Sequence, residues 1–267
     1  MEEFFKLMFR IFRKFISKFL LRHGKAIVLS SSEKDLRDLI LSIWPKKSEF
    51  DLVRIGGNND GGYLLPSCLD GISQCFSPGV GNSMKFEEDL FSKFNIHSVM
   101  LDHTIDNPAL FDNQSIFLKK QLSYEQISNS ITLEELVTNY ESNDNDKILQ
   151  MDIEGGEYQI LINTDIDTLQ KFRIIIIEFH DLHNLRTRYF LKLFNEIMNK
   201  ITRSFQIVHI HPNNFAERFS IGGMELSSCL EITFLRQDYF FNKGLASLPH
   251  PLDEPSAAEI EDILLIS

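Results

Sequence analysis

The sequence predicts an α/β fold, a largely parallel sheet with helices on both faces, and three observations carry that expectation. Within 146–157 a mainly apolar stretch over 148–151 ends in Asp152-Ile153-Glu154-Gly155-Gly156-Glu157, the change expected where a parallel strand opens onto a ligand cleft. A second run, over 74–83, ends in Ser77-Pro78-Gly79-Val80-Gly81 and is followed by an amphipathic helical period. Strand-like and helix-like segments alternate through the chain, which favours right-handed βαβ units. With 267 residues and 43% hydrophobic content the chain can bury a full core, and α/β sheets of this length commonly form one unit. The expected organisation is a basic N-terminal helix over 1–24 and one domain over 25–267.

Residues 32–41, with Leu36, Leu39, Ile40 and Ile43 on one side, predict a short helix stopped near Trp44-Pro45. The segment 54–63 holds four glycines among Asn and Asp and reads as a loop. Strands are predicted over 74–77, 98–102, 115–122 and 147–153, with helices over 84–94 and 133–140. Thr132 with Glu135 three residues later forms a capping box for the second of these. Residues 172–179, with four consecutive isoleucines, fit a strand buried on both faces. The apolar stripe over 184–205 predicts one long helix, and 206–211 and 229–235 complete seven strands, joined by a polar connection over 212–227.

The net charge of −11 is uneven. Residues 1–25 hold seven Lys/Arg and two Glu, so this segment is +5 and the remainder −16. An acidic body repels nucleic-acid backbones, which disfavours nucleic acid as a partner. Within 1–22 the phenylalanines and leucines return at helical spacing beside a basic face, and the longest uncharged stretch is too short for a spanning helix or a signal peptide. Two roles fit the pattern: in-plane contact with an anionic membrane surface, or packing on the body or on a second copy in a homo-oligomer. Cys68, Cys75 and Cys229 have neither disulfide nor metal spacing, and a reducing, cytoplasmic setting is expected.

The chemistry is expected beyond the carboxyl ends of the strands. Gly79 and Gly81 allow close approach of a ligand, and the third glycine of a dinucleotide fingerprint is replaced by Met84. Asp102 lies twenty-three residues after Gly79, at the offset of an acid that accepts from ribose hydroxyls. Tyr63, beside Gly61-Gly62, would cover a cofactor or pack its own loop. Asp152, Glu178, His180, His211 and Glu231 all fall at strand ends on the ligand side. They suit a general base at His180 or His211, a divalent-metal site, or plain structural hydrogen bonding. Glu157, at a helix start, suits the helix dipole or a substrate contact. His97, His103 and His183 read as surface or loop residues.

Ser77-Pro78-Gly79-Val80-Gly81 with Phe86-Glu87, Leu101-Asp102-His103-Thr104 and Met151-Asp152-Ile153-Glu154-Gly155-Gly156-Glu157 together resemble the FkbM-type family of S-adenosylmethionine-dependent methyltransferases. Asp60-Gly61-Gly62-Tyr63, Glu178-Phe179-His180, His211-Pro212-Asn213-Asn214 and Leu230-Glu231-Ile232-Thr233 resemble one branch of it. The resemblance implies a Rossmann-like, seven-stranded class I methyltransferase sheet whose last strand is antiparallel. It also implies S-adenosylmethionine as cofactor and O-methylation of a sugar, glycan or other small-molecule hydroxyl. By the same resemblance Gly79 and Gly81 line the methionine portion, Asp102 holds the ribose, and Asp152 faces the sulfonium and the acceptor. Ser77 stands where the family has an acid, which leaves Asp60, Glu87 or Glu154 to take over its contacts. Asp152 and Glu178 also resemble magnesium ligands of related sugar methyltransferases, with Glu231 a further candidate.

Two other readings compete. A nicotinamide-dependent oxidoreductase shares the strand, glycine loop and acid, but would normally keep the third glycine. A non-catalytic adaptor at a membrane surface would retain the fold without the chemistry.

Overall fold

The computed structural model describes residues 28–106, 108–221 and 224–265, besides Met8, Ile16, Leu20 and Arg22. The N-terminal helix expected over 1–24 lies outside the described residues apart from those four positions. Helix α1 (Glu33–Ser42) starts at a capping box in which Ser32 accepts from the Asp35 amide. A hairpin of β1 (Leu52–Ile55) and β2 (Tyr63–Pro66) follows, and the glycine-rich loop is the turn that joins its strands.

The central sheet then begins with β3 (Gln74–Pro78), α2 (Lys85–Phe94), β4 (His97–Leu101) and β5 (Ile116–Leu118). Two short strands, β6 (Gln121–Leu122) and β7 (Ser130–Ile131), pair with each other. Helix α3 (Leu133–Tyr140) carries the predicted Thr132–Glu135 capping box and leads into β8 (Lys147–Met151). After α4 (Glu157–Asn163) and α5 (Ile166–Leu169) come β9 (Phe172–Phe179), α6 (Arg188–Ile201) and β10 (Phe205–Pro212). The hairpin β11 (Arg218–Ile221) and β12 (Met224–Ser227) precedes β13 (Leu230–Arg236).

Seven strands form the sheet in the order β10-β13-β9-β8-β3-β4-β5. β13 runs antiparallel to both its neighbours, and the pairings among β9, β8, β3, β4 and β5 are parallel. The sheet is therefore the Rossmann-like methyltransferase arrangement expected, with the last strand of the chain inserted in reverse. The order reverses between β3 and β8, so their carboxyl ends part at this switch point and open the crevice that such sheets use for ligands.

β9 shows why the sheet is buried on both faces. Ile175, Ile177 and Phe179 join one core with α4 and α6, while Ile174 and Ile176 join another with Tyr63, Ile55 and Phe86. The β1–β2 hairpin is thus the lid of the second core, and Thr233 on β13 fastens it by donating to the Leu64 carbonyl at 2.8 Å.

Three expectations are corrected. The strand predicted over 115–122 breaks after Leu118, because Lys120 turns back to donate to the Leu118 carbonyl at 2.8 Å. The long helix over 184–205 divides into a 3-10 turn (Leu182–Arg186) and α6, because Thr187 is extended and caps α6 by accepting from the Phe190 amide. The polar connection over 212–227 contains the β11–β12 hairpin.

At the switch point the chain ends are as close as backbone permits. Gly79 has φ +88°, and a Cβ there would collide with the Asp152 carbonyl. Gly79→Ala is expected to lower stability by at least about 2 kcal/mol, since it adds both strain and a clash. Denaturant unfolding of the variant against the wild type measures this.

Candidate functional site

A cavity of about 630 Å³ lies over the switch point. That volume is within the range of about 300–1,000 Å³ usual for cofactor and small-ligand sites. Of the residues singled out in the sequence, Asp60, Tyr63, Gly79, Gly81, Glu87, Asp102, Asp152 and Glu154 line it; Gly62, Ser77, Glu178, His180, His211 and Glu231 do not.

On the β4 side, Asp102 follows Leu101 at the strand end. Its Oδ2 accepts from the Gly81 amide at 2.9 Å, and its Oδ1 from the Thr104 amide at 2.7 Å and hydroxyl at 2.6 Å. Burial pushes this carboxyl up, but the bonds from Thr104 and Gly81 outweigh it and hold the acid below its ordinary range. Asp102 is therefore a fixed anion. A carboxylate has about four lone-pair sites, so it keeps acceptor capacity for a ligand's hydroxyls.

On the β8 side, Tyr63 stands edge-on to Phe86 at 5.4 Å and is buried, so its ring packs the hairpin while its edge reaches the cavity. Gln150, on β8, donates to the Tyr63 hydroxyl at 3.1 Å. Gly62 serves the hairpin: a Cβ there would strike the Gly57 carbonyl.

The Asp152–Glu157 turn is held from inside. Glu154 and Gly155 have positive φ, of 55° and 98°. Glu157 is wholly buried; its Oε1 accepts from the amides of Ile153 and Gly155, both at 3.2 Å, and meets His180 Nδ1 at 3.0 Å. Glu157 thus braces the loop and orients His180. The other ring nitrogen, Nε2, lies 3.6 Å from Asp152 Oδ1 and 3.5 Å from Glu154 Oε2. Burial would lower the His180 pKa, but Glu157 above all, then Glu178 and Asp152, raises it well above the imidazole range. The side chain is an imidazolium among carboxylates, placed to orient and neutralise rather than to take up a proton. Asp152 itself is raised, by burial first and by Glu178 next.

Behind this turn, one register row crosses three strands: His211 on β10 faces Glu231 on β13, which faces Glu178 on β9. His211 lies between Glu231 at 3.6 Å and Asp262 at 3.8 Å. Burial acts to lower its pKa, yet Asp262 and Glu231 raise it to about 10. Glu178 Oε1 accepts from Asn213 at 2.8 Å and from the Cys229 thiol at 2.9 Å, and its buried Oε2 has no partner. Burial and Glu231 push Glu178 up, and the same two causes raise Asp60.

The donor atoms that converge within 4.8 Å of one another belong to Glu178, His180 and Cys229, and to Asp152, Glu154 and His180. Among the described residues Asp152, Glu178 and Glu231 do not form such a group. Both groups that do form take a histidine nitrogen, and one a cysteine sulfur, whereas magnesium seeks oxygen ligands. The expected magnesium trio does not fit.

Three lining residues have no site role assigned from the sequence: Thr104, Gln150 and His103, the last read there as a surface or loop residue. Gln150 carried a readable signal, a lone amide inside a fully buried strand. His97 is the first residue of β4 and pairs with Asp112 at 3.1 Å.

Because the His180 pKa is raised on folding, its stabilising contribution is complete below an ordinary histidine value of about 6.5 and is lost as pH rises through the raised value. In Glu157→Gln the imidazole is expected to titrate at least about one unit lower than in the wild type. Histidine NMR titration measures the shift.

The model of the methyltransferase FkbM domain matches residues 73–206, a span that includes the glycine loop, Asp102, the Asp152–Glu157 turn and His180. No curated protein matches the chain. Among solved structures, the Methanococcus jannaschii fibrillarin pre-rRNA processing protein aligns with 11% identity over 71% of this chain and 83% of its own, with a TM-score of 0.36, too slight a likeness to carry an argument. The family match takes in half of the chain and contains the switch point and its acids, and the chain belongs to the FkbM methyltransferase family.

Proposed function

We propose that the protein is an S-adenosylmethionine-dependent O-methyltransferase acting on a hydroxyl of a sugar, a glycan or another small molecule. The observation that carries this reading is the pair of carboxyls flanking Gly79 at the switch point, Asp102 on the β4 side and Asp152 on the β8 side, both lining one cavity. The cavity fits the cofactor: Asp102 has acceptor capacity left for a ribose, and Gly79 and Gly81 offer backbone without side chains.

When bound, the cofactor supplies an electrophilic methyl group on a cationic sulfur. The chain's own task is to hold the acceptor hydroxyl in line and remove its proton, and positioning of this kind supplies a large share of such a rate. Asp152 is the group placed to receive that proton. Its raised pKa makes it a stronger base than an ordinary carboxylate once ionised, and His180 beside it stabilises the anion. The His180 ring is oriented by Glu157, while His211, away from the cavity, balances the charge of Glu231.

The surface placement and partners are part of the same proposal. The basic segment 1–22 would hold the enzyme at an anionic membrane face on the cytoplasmic side, or join two copies. No helix among the described residues is long and apolar enough to cross a membrane. The nicotinamide alternative is the less supported: its fingerprint lacks the third glycine, and the family match is to methyltransferases.

Calorimetric titration with S-adenosylmethionine is expected to give a Kd near about 1 μM, and Asp102→Ala to weaken it at least about tenfold. An Asp102→Ala variant with full affinity would sink this assignment. Asp152→Asn is expected to keep cofactor affinity and to lose methyl transfer by about 100-fold or more in a radiolabelled-methyl assay across a panel of hydroxylated acceptors.

A further inference from the structure

The family's acid after the first sheet strand is absent, and Ser77 occupies its place with no exposed surface. The structure brings another carboxyl to that spot. Glu87, on the first turn of α2, lines the cavity, is 2% exposed, and meets the Ser77 hydroxyl through Oε1, while its Oε2 has no partner. Ser77 Oγ also lies 2.6 Å from Gln150 Oε1, and Gln150 Nε2 donates to the Tyr63 hydroxyl. One hydroxyl proton cannot serve both Glu87 and Gln150. A consistent arrangement has protonated Glu87 donating to Ser77, Ser77 donating to Gln150, and Gln150 donating to Tyr63.

The other candidates are placed differently. Glu154 also lines the cavity but has an 86% exposed side chain turned to His180, and Asp60 is raised by burial first and by Glu231 next. Ser77 links Glu87 to Gln150 on β8, whereas Asp102 follows the end of β4, and both carboxyls line the cavity together with Gly79. A ligand whose ribose reaches Asp102 would extend its other end toward Glu87.

We propose that Glu87 is the carboxylate that receives the ammonium end of the cofactor, displacing the role of the missing loop acid onto helix α2; this rests on S-adenosylmethionine being the cofactor. Burial, opposed by the bond with Ser77, pushes the Glu87 carboxyl up to about 7. The groups facing it are the buried Cys75 thiol on β3, Ser77, and Glu88 on its own helix, with Tyr63 beyond Gln150, and none is a cation. An arriving ammonium supplies the missing positive charge. Binding to the protonated form therefore releases one proton from Glu87 to solvent, and the ammonium keeps its own.

The test is calorimetry on the full chain with two probes, S-adenosylhomocysteine and 5′-methylthioadenosine, which shares the nucleoside but lacks the amino-acid end. Glu87→Gln, which preserves shape and the contact with Ser77, is expected to weaken S-adenosylhomocysteine by about 10- to 100-fold and methylthioadenosine by less than about threefold. Wild-type affinity for S-adenosylhomocysteine is expected to fall as pH drops below about 7, approaching tenfold per unit, with proton release seen across buffers of different ionisation enthalpy; both effects should vanish in Glu87→Gln. Adding Ser77→Asp to that variant restores an acid at the loop and is expected to recover part of the lost affinity. Equal losses for both probes would assign Glu87 a structural role and overturn the proposal. Unchanged S-adenosylhomocysteine binding in the variant would overturn it while leaving the cofactor reading intact. A folded wild type that binds neither probe would remove both.

Discussion

Everything at the site depends on how closely the ends of β3 and β8 meet before they part. The Asp152 amide donates to the Pro78 carbonyl at 3.1 Å, and the Gly79 amide donates to the Leu101 carbonyl at 2.7 Å, so three strand ends are tied together at one level. Gly79 passes beneath Asp152 with no space for a β-carbon. That contact sets the floor of the cavity, and it fixes Asp102 and Asp152 on opposite sides of it. A sheet whose order did not reverse here would have a continuous strand edge and no crevice.

The second constraint is charge. Asp60, Asp152, Glu157, Glu178 and Glu231 stand near one another with two histidines as the nearby titratable cations, and several of their oxygens are buried without a partner. Removing a carboxylate from water costs several kcal/mol unless it is paired or protonated. The protein meets that cost unevenly. Asp102 is ionised by amide and hydroxyl donors, His180 and His211 are held charged by their acids, and Asp152, Glu178 and Glu87 are driven toward the neutral form. Carboxyls of one chemical type are thereby separated into permanent anions and groups whose charge can change in reaction or binding, the separation that acid–base and ligand-linked chemistry requires.

The hairpin β1–β2 links the two constraints. It covers the second core with Tyr63 and Leu65 and carries Asp60 to the cavity's edge, while Thr233 holds it from the sheet. The C-terminal segment adds a further strap: Asp253 meets His209 at 2.9 Å, Asp262 lies 3.8 Å from His211, and the Ser256 carbonyl accepts from the Asp60 amide. Residues remote in sequence thus set the position of a side chain at the site.

What the sequence determined by itself were the features written in local order: the isoleucine run of β9, the Thr132–Glu135 cap, the glycine loop after β3, and Asp102 and Asp152 at strand ends. These follow from periodicity, capping and the alternation of strand and helix, each decided within a few residues. The breaks at Lys120 and Thr187 escaped because a single turn or cap overrides a continuing apolar stripe, and the short hairpin β11–β12 escaped because it lies in a polar connection. Only the tertiary structure decided that Glu87 meets Ser77, that Glu157 rather than solvent orients His180, and that His211 faces Glu231 away from the cavity. The physical reason is that a carboxyl's role depends on its burial and on the donors and charges around it. Those surroundings are assembled from strands and helices that the chain brings together only when it folds.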